Sequence, residues 1–511
     1  MRFAPVLFVA LLAGCTAPSA APDAQQAATD PTWDPLTLGT NDVAEATYDF
    51  GLLLVTDPAL FPYQYPIQMT GNIRSPATGD GPFPLVLLMH GRHGTCELAG
   101  LAEGIGTHLC PDAPPIIEPV NSFEGYDGLA RNLASHGYVV ASLNANQIND
   151  RDLVGDSGAN ARAELLLATV ANFVNVNSNG GSGLDALRGR IDLDRVGFMG
   201  HSRGGEGVAR AVTLNQERGS PVALNAIFAL APTDFARWPI PDVAFATLLP
   251  YCDGDVSNLQ GAWLYDDART LPGGPRHQIL AMGANHNFYN TVWTGDDWGT
   301  TGAWCGSAEA GNGRDKPEAQ RAHGDGLMAS FFRFYVGGEE GFAPLWERGD
   351  LPESLCPGRD GCDGRILLSS QQLGSRRVDV DGKPTRVDGL TAKRCAPATC
   401  PGNVTIGTAA QTTLSGTGVA SYDLGDAAGF RDATVRLGVP TSTYARGFLD
   451  VGCDGHRLVQ PFNWKAPPGE AAAKTVLSMV RLALPEACQQ VTFRVALDDG
   501  NLQVADVLLQ P

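Results

Sequence analysis

The sequence predicts an α/β domain, a mostly parallel sheet flanked by helices, followed by a smaller all-β C-terminal domain. Three observations carry this. From about Tyr48 to Gly337 short apolar strands alternate with helical patterns, the order that builds parallel sheets. Beyond about Glu347 the chain turns to Gly, Thr, Val and Asp in short alternating runs with little helical period, which reads as a β-sandwich. At 511 residues the chain is also too long for one ordinary domain.

The elements follow in order. Ile67 to Ile73 alternates like a half-exposed strand, and Pro84 to Met89 (PLVLLM) is a buried one. Tyr126 to Ser135 reads as a helix that Gly137 stops, and Tyr138 to Leu143 is the next strand. Ala159 to Asn175 carries Leu165, Leu166, Val170 and Phe173 at helical spacing. Strand Arg195–Gly200 runs directly into a helix from Gly204 to Gln216. Ala226–Ala231, Ala246–Tyr251 and Gln278–Met282 are further strands, and a last helix spans about Pro317 to Val336. In the tail, Ala433–Leu437 and Val491–Val495 alternate as strands do. The resulting division is a leader over 1–15, a tether over 16–40, a catalytic domain over 41–346 and a β-domain over 347–511.

The N-terminus reads as an export signal. Arg2 precedes a short apolar run from Phe3 to Ala13, too short to span a bilayer. Leu12-Ala13-Gly14-Cys15 resembles the lipobox of bacterial lipoproteins, which makes Cys15 the expected lipidation site. The stretch from Thr16 to Asp34 has the Ala, Pro and Gln content of a flexible tether. The expected location is therefore a bacterial cell-envelope membrane, on its periplasmic or cell-surface side and held by lipid alone, with plain secretion as the alternative. Eleven cysteines fit that compartment. Without Cys15 they pair in sequence order as Cys96–Cys110, Cys252–Cys305, Cys356–Cys362, Cys395–Cys400 and Cys453–Cys488, although sequence does not dictate connectivity. None of the close pairs has the CxxC spacing of zinc sites, so no metal is expected. A net charge of −19 with no long basic stretch excludes a nucleic-acid partner.

Chemistry concentrates at Gly200-His201-Ser202-Arg203-Gly204. A serine on a tight turn between strand and helix has a strained backbone, and its hydroxyl stands clear at the end of the sheet. The motif occurs once, between an apolar strand and a small-residue helix start. A serine nucleophile needs a base, and the base needs an orienting carboxylate. On a sheet of this kind they come later in the chain, acid before histidine, each just after a strand. Among His277, His286, His323 and His456, only His286 follows a strand directly. For the acid, strand Ala246–Tyr251 leads into Cys252-Asp253-Gly254-Asp255-Val256. Asp255 is the first choice, Asp253 its rival and Asp234 a third. The oxyanion requires preorganised amides. One is the backbone N–H of Arg203. The other comes from His90-Gly91-Arg92-His93-Gly94, with Arg92 preferred and Gly91 and His93 as alternatives.

The elbow Gly200-His201-Ser202-Arg203-Gly204-Gly205, the loop at His90, the acid loop at Asp255 and the histidine loop at His286 together resemble the chlorophyllase and bacterial polyester-hydrolase (cutinase-like) branch of the α/β-hydrolases, over about Ile67 to Val336. The resemblance implies a serine hydrolase acting on esters of lipids, polyesters or pigments, with no cofactor. The sequence departs from small members of that branch by insertions at Cys96–Cys110 and Thr294–Asp315 and by the whole tail. Added loops argue for a more closed cleft than a polymer surface needs. A disulfide Cys252–Cys305 would brace the acid loop. Phe288, Tyr289, Trp293, Trp298 and Trp304 line a pocket or merely pack. The expectation is an exported serine esterase with the triad Ser202, Asp255 and His286. A secreted peptidase with the same triad is the alternative within the class. A carbohydrate- or surface-binding protein on an inactive scaffold is the alternative outside it, with the β-domain holding the glycan or surface ligand.

Overall fold

A computed structural model describes residues 34–56, 64–98, 117–152, 155–298, 304–306, 313–357, 362–379, 381–396, 399–400, 405–441, 443–465, 474–486 and 488–511. The expected leader, Cys15 and Cys110 lie outside these residues, as does most of the tether.

The first half is built on a nine-stranded sheet. Its strands are β1 (Val43–Thr56), β2 (Gln64–Pro76), β3 (Phe83–Met89), β4 (Val139–Leu143), β5 (Ile191–His201), β6 (Leu224–Leu230), β7 (Ala244–Pro250), β8 (Arg276–Ala281) and β9 (Ile366–Gln371). The spatial order is β1-β2-β4-β3-β5-β6-β7-β8-β9. The six strands from β4 to β8 run parallel, and β1, β2 and β9 add antiparallel edges. Helices α1 (Asp127–Ser135), α2 (Ala159–Asn179), α3 (Arg203–Glu217), α4 (Gly261–Ala268) and α5 (Pro317–Tyr335) connect or cover the strands.

Alternation along each strand sends side chains to opposite faces, so a doubly covered sheet has two cores. In β3, Leu85, Leu87 and Met89 pack in one core with residues of α2, α3 and α4. Val86 and Leu88 point to the other, shared with α1 and α5. This explains why PLVLLM is apolar at every position.

Beyond β9 the chain forms ten strands hydrogen-bonded into one curled antiparallel network. Its organising element is the 21-residue strand Gln490–Gln510, which pairs with Arg376–Asp379, Gln411–Ser415, Gly418–Asp426, Asp432–Gly438 and Tyr444–Cys453. The region is all-β as expected. Its strands are joined through one long strand into a curled network around one apolar core that includes Leu414, Leu449, Phe493 and Leu502. The change of architecture also comes later than Glu347, because β9 still belongs to the first sheet through its pairing with β8.

A buried ionic cluster joins the two halves. Asp266 on α4 and Arg269, which caps its carboxyl end, meet Arg436 and Asp506 of the β region, with Arg436 2.6 Å from Asp266 and Arg269 bonded to Asp506. Asp266 also accepts the backbone N–H groups of Thr408 and Ala409, at 2.7 and 3.0 Å. Desolvation opposes charge on Asp266, but Arg436 and Arg269 outweigh it and hold the carboxyl below its ordinary value.

Candidate active site

Ser202, the acid loop, His286 and the loop from His90 all follow the carboxyl ends of parallel strands, at one rim of the sheet. Ser202 closes β5 and opens α3 with φ 58° and ψ −124°, a conformation rarely adopted by residues other than glycine. Gly200 permits this turn, since a Cβ there would lie 2.0 Å from the carbonyl oxygen of Gly204. The loop after β3 presses onto the serine, and a Cβ on Gly91 would come within 2.5 Å of Ser202 Cβ. His90 anchors that loop. Its Nε2 accepts the N–H of Ala145 at 2.8 Å and its Nδ1 donates to the Gly91 carbonyl at 2.8 Å. Both ring nitrogens are thereby engaged in holding backbone, and burial pushes its pKa down to about 3.

His286 follows β8 and is fully buried. Its Nδ1 lies 2.9 Å from Oδ2 of Asp253, which is buried too. The carboxylate expected in that position was Asp255. Asp255 instead faces the other side of the ring, with Oδ2 3.6 Å from Nε2 and its side chain 62% exposed. The cause is local hydrogen bonding. Oδ1 of Asp253 accepts the N–H groups of Asp255 and Val256, at 3.0 and 2.6 Å. That Asx-type turn draws Asp253 inward and throws Asp255 outward. Asp234, the third candidate, is away from the imidazole and pairs with Arg237 at 3.0 Å. Burial raises its pKa to about 7.

The acid and histidine loops are tied together at several points. Tyr251 N donates to Ala281 O and Cys252 N to Ala284 O, both at 2.9 Å. Asp297 accepts the N–H groups of Gly254, His286 and Asn287 at 2.7, 3.2 and 3.0 Å. Cys252 and Cys305 are bonded, as are Cys356–Cys362, Cys395–Cys400 and Cys453–Cys488, the expected pairings. Cys96 is disulfide-bonded as well. His201, which precedes the serine, donates from Nε2 to the His286 carbonyl at 3.1 Å and accepts the Tyr126 hydroxyl at Nδ1 at 3.0 Å. The His201 and His286 rings stand 4.9 Å apart, centroid to centroid.

Burial works against a charge on His286, but Asp253, through its charge and hydrogen bond, together with Asp255 and Asp297, raises the pKa to about 9. The Nε2 atom has no hydrogen-bond partner among the described residues. Ser202, Arg92, Arg203, Thr233, Phe235 and Asp255 border one cleft of about 170 Å³. Both residues expected to supply oxyanion amides are therefore at the cleft. Their side chains turn to the buried Asp152, at 3.5 Å for Arg92 and 2.8 Å for Arg203. Of the aromatics singled out in the sequence, Tyr289 and Trp293 are buried packing residues, and Trp293 lies parallel to the rings of His93 and His286. The aromatic on the cleft is Phe235, which sequence reasoning missed. The structural roles of His201, Asp152 and Asp297 were missed as well. Only His201, inside the GxSxG motif, had a local signal.

Residues 122–292 match the PET hydrolase-like family. That segment contains Ser202, Asp253, Asp255 and His286. The chain is 34% identical over 129 residues to the bis(hydroxyethyl) terephthalate hydrolase of Streptomyces coelicolor, covering 25% of this chain and 34% of the relative. It is 28% identical over 159 residues to cutinase 2 of Thermobifida cellulosilytica, covering 28% of this chain and 56% of that protein. For cutinase cut1 of Thermobifida fusca the identity is 28% over 159 residues, with 28% and 46% covered. The chain thus spans between about a third and just over half of these relatives' lengths. Over residues 122–292 the sequence falls in the polyester-hydrolase branch of the α/β-hydrolases.

Proposed function

We propose that this protein is an exported carboxylic ester hydrolase working through Ser202, His286 and Asp253. What supports the reading above all is the buried Asp253–His286 pair set against the strained turn that carries Ser202. In the proposed cycle His286 Nε2 takes the Ser202 proton as Oγ attacks the ester carbonyl. Asp253 fixes the tautomer and stabilises the imidazolium. The amides of Arg203 and Arg92 receive the tetrahedral oxyanion. The C–O bond of the leaving alcohol breaks, and that oxygen takes the proton from His286. Water, deprotonated by the same imidazole, then attacks the acyl-enzyme; the bond to Ser202 Oγ breaks, Oγ takes the proton back from His286, and the acid is freed. Asp255, on the solvent side of Nε2, gives way to substrate.

The substrates proposed are esters of the class named in the relatives, terephthalate or cutin esters, with short to medium acyl groups preferred. The disulfides fit an exported protein, and we further propose lipid attachment at Cys15. The β region is proposed to take part in the site and not to serve only as a glycan- or surface-binding module. The test combines a fluorophosphonate probe with p-nitrophenyl esters of graded acyl length. Labelling at Ser202, lost in Ser202→Ala together with ester cleavage, is expected. An unlabelled wild type that cleaves no ester would overturn the reading, and hydrolysis confined to long-chain lipids would overturn the substrate preference.

A further inference from the structure

The acid loop rests on a buried lysine from the far end of the chain. Lys474 is 1% exposed. Its Nζ donates to the carbonyl oxygen of Tyr251 at 2.8 Å, two residues before Asp253. The ammonium also sits 5.5 Å from the ring centroids of both Tyr251 and Trp298, one from each loop of the site. Among the described residues it has no carboxylate within ion-pair distance, so a full charge is buried against one carbonyl and two ring faces. Its neighbours anchor it. Thr475-Val476 pairs in parallel with Thr405-Ile406, and Val476 packs into the cluster of Leu249, Tyr251, Cys252, Leu280 and Met282 beneath the acid loop.

A buried lysine is expensive unless the structure uses its charge or its reach. The charges that face it are Asp253 and Asp297, whose attraction partly offsets desolvation; the pKa is lowered to about 8. One carboxylate is the hydrogen-bond partner of His286. The other clamps the backbones of both loops.

We propose that Lys474 is a positioning residue for the ester-hydrolysing site, by which the C-terminal β region holds the acid loop in register with His286. The proposal rests on the hydrolase reading above. The lysine touches no reacting atom. It fixes the Tyr251 carbonyl and therefore the start of the turn that presents Asp253, and it places a positive charge behind the Asp253–His286 pair.

The test uses the full chain with Lys474→Met, Lys474→Gln and Lys474→Arg. Active sites are counted by fluorophosphonate titration, and kcat and KM are measured on p-nitrophenyl butyrate. For Lys474→Met the expected result is a kcat per labelled site lowered about tenfold, with KM within about twofold, as misplaced catalytic groups give. Lys474→Arg, which keeps a charged donor beside the Tyr251 carbonyl, is expected to restore most of that kcat. Should the methionine variant fail to fold, the glutamine variant is read in its place: its shorter amide holds the Tyr251 carbonyl less well, and a kcat per labelled site lowered about threefold with KM within about twofold is expected. A wild-type kcat per labelled site in Lys474→Met, or in Lys474→Gln where only that variant folds, would overturn the proposal. So would a loss of activity matched wholly by a loss of labelled sites. A wild type that neither labels nor cleaves esters removes the hydrolase reading itself, a different outcome from an active wild type whose variants are unchanged.

Discussion

Oδ2 of Asp253 lies 2.9 Å from Nδ1 of His286, and both groups are closed off from solvent. Asp255, two residues on, approaches the opposite nitrogen of the same ring from the solvent side. The two carboxylates should answer differently to substitution. Asp253→Asn is expected to lower kcat by about 10³- to 10⁴-fold, because the imidazole loses its orienting partner and its tautomer. Asp255→Asn is expected to keep kcat within about tenfold at saturating pH, since it removes only an outlying charge. Steady-state kinetics on a short p-nitrophenyl ester decide the matter. Equal damage from both substitutions would remove the assignment of Asp253.

The pH profile carries a second prediction. Asp253, Asp255 and Asp297 raise the His286 pKa to about 9, so the base form is the minor one at neutral pH. Activity should therefore rise through an acid limb centred near pH 9. Asp255 is one of the charges that raises it, so Asp255→Asn should shift the limb to lower pH and increase the rate at pH 7. A limb that stays in place in this variant would contradict the assignment of the charge.

Stability should fall on acidification for an independent reason. His90, His277 and His323 are buried with pKa values lowered to about 3, 3 and 4, and His201 is lowered well below its ordinary value, each chiefly by desolvation. Between pH 6.5 and about 4 the unfolded chain protonates these rings while the folded chain does not, so acid favours unfolding. His286 works the other way. Its raised pKa gives stability that is complete below pH 6.5 and is lost as pH rises through about 9. Chemical denaturation at pH 7 and pH 5 should show a lower midpoint at pH 5. A His277→Asn substitution, if folded, should flatten that difference.

The ionic cluster between the halves gives a fourth expectation. Asp266→Ala leaves Arg436 without its closest partner and deprives the Thr408 and Ala409 amides of theirs. Removing one member of a buried ion pair typically destabilises by about 3–5 kcal/mol. Denaturant titration should show a loss of that size in a transition that both halves share. An unchanged midpoint would mean that the cluster does not couple the two halves.

The sequence made some of this site legible and hid the rest, for identifiable reasons. Ser202 was readable because the elbow is local: strand, glycine, serine, glycine and helix lie within a few residues. His286 was readable because one histidine alone follows a strand. The acid was not, since Cys252-Asp253-Gly254-Asp255 offers two carboxylates and the choice depends on which one bonds the following amides. The turn around Asp253 was available as a signal, because an aspartate oxygen capping amides two and three residues on is a local motif. The α/β alternation gave the helices to within a few residues, yet α4 went unnoticed because Gly261–Ala268 is short. Lys474 had no signal at all. Its role depends on a fold that brings residue 474 under residue 251, and nothing in the local pattern of either segment announces the meeting.

Strand β9 decides where this molecule can be cut. Ile366–Gln371 pairs along the whole of β8, so a chain ended at Glu347 would leave β8 with a bare row of amides and carbonyls and take Ile366, Leu367 and Leu368 out of the apolar clusters they pack in. Such an edge recruits strands from other molecules, and the shortened protein would be prone to clump however sound the candidate site. Anyone wishing to separate the halves has to carry the chain through Gln371, and even then the surface of α4 that met the β region would face water with its charges unmatched.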